Sequence, residues 1–308
     1  MSKRLILILF APVLVVLGAL GLYARDPAPL ETEAFEALYT TPAPLPAGPR
    51  HVFHIGHSLV GRDMPAMLAQ LAGEGYDYAS QLGWGATLKS HWDPDVPING
   101  FTEENAHDKY RDAHEAVESG DYDALVLTEM VEIKDAIAYF DSPRMLHNWA
   151  DKAQDSGLPV YFYETWHPLD TPEGWRMRLD RDLEMYWEGK IMRPALAMTD
   201  APAPIYLIPG GQVMAALSDA LSQRGPIGPL TSHRDLFSDD IHFNDYGAYL
   251  IALTHYAVLY QKSPVGLPHA LRRADGTVAD AVGPEAARLM QETVWDVVTS
   301  LPRTGVRG

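Results

Sequence analysis

The stretch His51-Val-Phe-His-Ile-Gly-His-Ser-Leu-Val60 decides how the chain is read. Val52 to Ile55 form a short apolar run, and Gly56-His57-Ser58-Leu59 follows at once. This pattern predicts a strand that exits at a glycine and presents Ser58 at the carboxyl end of a sheet. Open α/β folds place their ligands there, and a serine so held is a candidate nucleophile. The competing reading is an ordinary strand and turn, since glycine and serine are common turn residues. The rest of the chain decides between them.

Downstream, helical and extended patterns alternate. Helical spacing is expected at 63–74, 105–119 (Tyr110, Ala113 and Val117 facing inward), 143–154, 173–197, 213–221, 246–260 and 284–301. Apolar runs read as strands at 76–82, 124–127, 160–163 and 205–208. Ala124-Leu-Val-Leu127 is unbroken, as a strand buried on both faces requires. Residues 83–92 read as a glycine- and aromatic-rich loop, and 164–168 as a polar and aromatic loop at a strand end. The alternation predicts a parallel sheet of about five strands with helices on both faces. Gly210-Gly211 lacks the spacing of a phosphate-binding loop.

The chain has 308 residues, no cysteine and a net charge of −17, from 24 basic and 41 acidic residues. The charge argues against nucleic acid as a partner, which calls for a basic face. Without cysteine there is no disulfide framework, thiolate nucleophile or Cys-based zinc site. Lys3 and Arg4 precede residues 5–23, which carry no charge. That length approaches a bilayer span and exceeds the usual apolar core of a signal peptide. Leu22-Tyr23-Ala24 is also a poor cleavage site. An uncleaved anchor in the inner membrane is favoured over a cleaved signal, and either exports the remainder. The expected organisation is an anchor or signal at 1–24, a proline-rich spacer at 25–50 with one helical turn around 33–38, and a single domain at 51–308.

A serine nucleophile needs a base. Asp239-Asp-Ile-His242 supplies one: an aspartate three residues before a histidine can orient the imidazole and stabilise its protonated form. Asn244 or Asp245 can cap the helix that follows. The order of Gly-x-Ser-Leu after strand one, a glycine loop after strand two, and Asp-x-x-His before a late helix resembles the SGNH/GDSL hydrolase superfamily over residues 51–260. Gly56-His57-Ser58-Leu59 is similar to its first block, with His57 where the family's aspartate stands. Gly85 is similar to the glycine of its second block, with Gly83 as competitor. Asp239 and His242 are similar to its last. The resemblance implies a flavodoxin-like three-layer α/β/α sandwich and ester hydrolysis through an acyl-enzyme, without metal or other cofactor. It further implies Ser58 as nucleophile, His242 as base, Asp239 as orienting carboxylate, and the amides of Ser58 and Gly85 as oxyanion donors. The family's third block, Gly-x-Asn-Asp, is missing, and Leu127-Thr-Glu-Met130 stands in its place.

Further residues are candidates for substrate contact: His57 beside the nucleophile, and Thr128 and Glu129 in the third-block position. Trp84, Trp92, Trp166 and His167 form either a sugar-stacking wall or a roof over the core. Glu129, Glu132 and Glu164 are either a carboxylate pair or solvated loop acids. His51, His54 and His57 do not make a metal site on a regular strand, because His54 faces away from the other two. The expected substrate is a small-molecule or glycan ester, such as an acyl group on an envelope glycan. The alternative is an inactive module of the same fold that binds glycan or a partner protein. The anchor reading predicts that the protein fractionates with membranes in its host and resists carbonate extraction; a soluble product with a mature N-terminus near Arg25 would overturn it.

Overall fold

The computed structural model describes residues 27–44 and 51–308, so the apolar segment expected at 5–23 lies outside the described residues. Five parallel strands form one sheet in the order β2-β1-β3-β4-β5: β1 (His51–His57), β2 (Asp77–Gly83), β3 (Ala124–Leu127), β4 (Val160–Glu164) and β5 (Tyr206–Pro209). β1, β3, β4 and β5 are buried almost throughout, which explains their mostly apolar sequences; His54 in β1 and Glu164 in β4 are buried polar exceptions.

Helices cover both faces, giving the expected α/β/α sandwich. One layer holds α2 (Asp63–Ala72), α10 (Gly210–Arg224), α11 (Asp245–Tyr260) and α12 (Pro284–Ser300). The other holds α3 (Leu88–Trp92), α5 (Ala113–Ser119), α6 (Ile133–Tyr139), α7 (Ser142–Asp155) and α9 (Arg193–Leu196). α11 is apolar on nearly every side because it is buried between sheet and helices. Asn244 caps it, accepting from the N–H groups of Tyr246 at 2.9 Å and Gly247 at 3.3 Å.

The structure departs from the sequence reading in four places. The helix expected at 105–119 is two helices, α4 (Phe101–Asn105) and α5, separated by a turn at 107–109 and a short extended piece around Tyr110. Ser80 takes both backbone bonds of that stretch, accepting from Arg111 N–H at 3.2 Å and donating to Lys109 O at 2.9 Å. Tyr110 therefore lies exposed on the sheet edge, not inside. The loop expected at 83–92 contains α3, whose start is closed by a capping box of Thr87 and Ser90. The helix expected at 173–197 runs as α8 (Trp175–Asp182), a π-helical stretch Leu183–Met192 and α9.

The fourth departure is the proline-rich spacer, which over 30–43 is docked on the body. Its one helical turn is α1 (Thr32–Ala37). Phe35 and Tyr39 are fully buried, the Tyr39 hydroxyl donates to Ile205 O at 2.8 Å, and Ala43 N–H donates to Gly305 O at 2.9 Å. The guanidinium of Arg303 lies 4.5 Å from the Phe35 ring centre. Tyr39 thus anchors the arm beside the start of β5, while residues 109–111 pair with Ser80 on the outer side of β2. Docking predicts that Phe35→Ala destabilises the protein by about 3 kcal/mol in urea unfolding. Glu33→Ala, on the exposed face of the same turn, should stay within about 0.5 kcal/mol. Equal, small effects would mean the arm carries no stability.

Candidate active site

Gly56 lies inside β1 rather than at its exit. A Cβ there would stand 2.4 Å from Thr128 Cγ2 and 2.9 Å from Val60 Cγ2, so glycine is required by close approach, not by backbone conformation. Thr128, just past β3, is fully buried and donates through Oγ1 to Tyr163 O at 2.8 Å. Its methyl packs on Gly56, and it offers no donor to the serine's surroundings.

Two neutral imidazoles fix the end of β1. His57 Nε2 donates to Glu129 O at 2.8 Å, while its Nδ1 accepts from Leu59 N–H at 3.3 Å. His91 Nε2 donates to Gly56 O at 2.9 Å, and its Nδ1 accepts from Gln81 Nε2 at 3.0 Å. Gln81 in turn accepts from Ala113 N–H at 2.9 Å. Burial lowers both histidines to about 4, which keeps them uncharged at neutral pH. His57 is thus a buried positioning group, not the pocket residue expected. His91 and Gln81 escaped the sequence reading; their one signal is a polar residue inside a segment that is otherwise buried.

Ser58 follows β1 directly and is half-buried. Its Oγ lies 3.0 Å from His242 Nε2, and His242 Nδ1 lies 2.8 Å from Asp239 Oδ2. The other oxygen, Asp239 Oδ1, accepts from the N–H groups of Ile241 at 2.8 Å and His242 at 2.7 Å. These hydrogen bonds, the His242 amide foremost, hold the Asp239 carboxyl down at about 2. The aspartate is a fixed anion, so the Nδ1 facing it carries the proton and Nε2 is free to accept from Ser58. Asp240 makes no such contact; its carbonyl accepts from Leu169 N–H at 2.8 Å.

The loop bearing Asp239 and His242 is rigid because both of its sides are tied. Phe237 and Phe243 bridge across its base, and Ser238 N–H donates to His242 O at 2.8 Å. Trp166 Nε1 donates to Ile241 O at 2.8 Å, so with Leu169 it straps the loop after β4 onto the loop of His242. Trp166 is buried and is a roof and strap rather than a substrate wall. Trp92 likewise packs inward, against His114 and Trp149. His167 is buried 3.1 Å from Asp182, beside the buried Arg178, and is held from substrate. Trp84 alone of the aromatic candidates is exposed.

The three candidate acids have separate tasks. Glu132 pairs with Arg178 at 3.0 Å. Glu164 is buried and accepts from Gly211 N–H at 2.8 Å and Gln212 N–H at 3.2 Å, closing the start of α10. Glu129 is fully buried and accepts from Met130 N–H at 2.8 Å, Leu88 N–H at 3.2 Å and Ser142 Oγ at 2.7 Å. Neither Glu129 nor Glu164 is a solvated loop acid. Burial pushes them up to about 7 and about 8.

His57 and Gly83 are partners across β1 and β2, so Ser58 and the Trp84-Gly85 pair leave the sheet at the same level. Gly85 is exposed with φ of +58°. Neither the Ser58 nor the Gly85 amide donates to another group among the described residues. A cavity of about 760 Å³ opens at the opposite end of the sheet, lined by Pro44, Asp123, Pro159 and Tyr206, and takes no part in this arrangement.

No protein-family model matches the chain, and no curated protein matches it. Among solved structures it is similar to protein YxiM from Bacillus subtilis, at 14% identity and a TM-score of 0.43, over 67% of this chain and 54% of that one. It is similar also to TesA, at 16% identity and a TM-score of 0.35, over 67% of this chain and 96% of that one. The chain thus spans about half the length of YxiM.

Glu129 yields a test of this geometry. Its folded pKa is raised above the unfolded value, so the folded state binds the proton more tightly. Its contribution is therefore intact at acid pH and is lost as pH rises from about 4.5 to about 7. A glutamine fits the same contacts, accepting from the two amides and donating to Ser142. In urea unfolding at pH 5 to 8, Glu129→Gln should gain stability relative to wild type up to about pH 7 and then run parallel. Parallel curves throughout would show that Glu129 is not held protonated.

Proposed function

We propose that the protein is an SGNH-type serine hydrolase that cleaves a carboxylic ester. The observation that carries this reading is the unbroken line of hydrogen bonds from Asp239 through His242 to Ser58, at the carboxyl end of a parallel sheet. Ser58 Oγ attacks the ester carbonyl while His242 Nε2 takes its proton. The carbonyl oxygen gains a negative charge next to the amides of Ser58 and Gly85. As the carbon–oxygen bond to the alcohol breaks, the proton on His242 passes to the leaving oxygen, and the acyl group remains on Ser58. A water then attacks the acyl-enzyme with the same proton path, releasing the acid and restoring Ser58. Asp239 stays ionised throughout and stabilises the imidazolium that forms twice per turnover.

The uncharged segment at 5–23 supports export of this activity, with the domain outside the cytoplasm on an inner-membrane anchor. A substrate in the cell envelope follows from that placement. The missing asparagine favours a second reading, an inactive module of the same fold that binds glycan or a partner protein. Loss of one oxyanion donor costs about 10²–10³ in rate, which slows such an enzyme without stopping it.

A fluorophosphonate probe and a short-chain acyl ester separate the two. Wild type should be labelled and should hydrolyse the ester, and Ser58→Ala should do neither. Asp239→Asn should lower turnover by about 10⁴, through the wrong imidazole tautomer, and Asp240→Asn by less than about tenfold. Labelling that survives Ser58→Ala in a folded protein overturns the assignment; no labelling of wild type leaves the inactive module.

A further inference from the structure

Trp84 is 52% exposed, alone among the chain's seven tryptophans in the exposed class. Exposing an indole forgoes a large apolar burial, and here the side chain is held out rather than left loose. Gly100 lies flat against one ring face: a Cβ on it would stand 2.2, 2.4 and 2.7 Å from Cδ2, Cε2 and Cε3. The ring edge is pinned by Nε1 donating to Glu104 Oε1 at 2.7 Å, and the backbone by Trp84 N–H donating to Asn99 O at 2.7 Å.

The support is itself fixed. Asn105, at the end of α4, is buried and pairs with both backbone groups of Leu82, at 3.0 and 2.8 Å. Arg62, three residues before Pro65 at the start of α2, donates to Glu103 O from the other side. One indole face is therefore covered and the other is presented in a set orientation. It stands between Gly83, the strand partner of His57, and Gly85, the proposed oxyanion donor.

We propose that Trp84 is a stacking platform for a sugar ring on the alcohol side of the ester cleaved at Ser58. This rests on the hydrolase reading above. The open face is flat and apolar, which suits the C–H face of a pyranose. At its edge stands Glu104, with exposed Glu103 next to it in the chain, and carboxylates accept from hydroxyls. Those acids, on a chain of net charge −17, disfavour an anionic alcohol such as a phosphorylated one.

The test compares two acetyl esters, an O-acetylated β-1,4-linked oligosaccharide and ethyl acetate, by acetate release. Trp84→Ala should lower the ratio of kcat/KM for the sugar ester over ethyl acetate about tenfold, the effect of losing roughly 50 Å² of apolar contact. The change should lie in KM, and Trp84→Phe should restore most of it. An unchanged ratio, or equal loss on both esters, overturns the proposal. Thermal unfolding of each variant identifies a loss that comes from misfolding. If wild type cleaves neither ester, the hydrolase reading fails separately. Calorimetry of the deacetylated oligosaccharide against Ser58→Ala, with and without Trp84→Ala, then decides: binding lost with the indole supports the platform, and an equal Kd, or no binding to either, overturns it.

Discussion

Two buried imidazoles donating to backbone carbonyls hold the end of β1, and the rest of the site depends on that hold. A strand end where the chain leaves the sheet ordinarily has freedom to fray. Here His57 ties it to the chain leaving β3, and His91 ties it to the loop leaving β2. Each imidazole also accepts through Nδ1, from Leu59 N–H or the Gln81 amide, which it does only while neutral, and burial keeps both neutral. The serine between them inherits a fixed backbone. Its hydroxyl then needs only one rotamer to meet His242.

The partner side is built differently. Asp239 and His242 are half-exposed, with side-chain accessibilities of 55% and 45%. Burial does not order them; local hydrogen bonds do. Asp239 spends one oxygen on the backbone of its own turn and the other on the imidazole, so the Asp-x-x-His spacing is a self-closing turn with a charge at its apex. The strap through Trp166 and Leu169 sets where that turn points. Ser58 is half-buried and His242 part-exposed, so the serine hydroxyl stays open to water, as the proposed deacylation step requires.

Most of this was legible in the sequence for a physical reason. Periodicity reports burial, and a doubly covered parallel sheet makes burial nearly continuous along β1, β3, β4 and β5. Ser58, Asp239 and His242 were legible because each sits at an abrupt change from apolar strand or helix to polar turn. What periodicity missed is polar groups acting from within. Gln81, His91, Asn105, Glu129 and Glu164 are hydrogen-bonded to backbone, and a sequence does not display such partners. The break at 106–112 was hidden for the same reason, since Ser80 satisfies it by edge pairing that leaves no mark on hydrophobic spacing. Phe35 and Tyr39 were masked by the prolines around them, which mark an irregular path but say nothing of where it docks.

On the proposed hydrolase reading, Glu129 stands where the resembled family has its asparagine. A charged carboxylate aimed at a developing oxyanion would repel it. Glu129 avoids this by turning inward, where burial favours its neutral form and three donors meet it. One of those donors is Leu88 N–H, at the start of α3, three residues beyond Gly85. Thr87 caps the same turn, so the short loop from Trp84 to Leu88 is held at both ends, by Asn99 O at the first and by Glu129 at the last. On the proposed reading, the residue in the asparagine's place bears on the oxyanion site at one remove: it fixes the loop that carries Gly85, whose amide is the proposed donor.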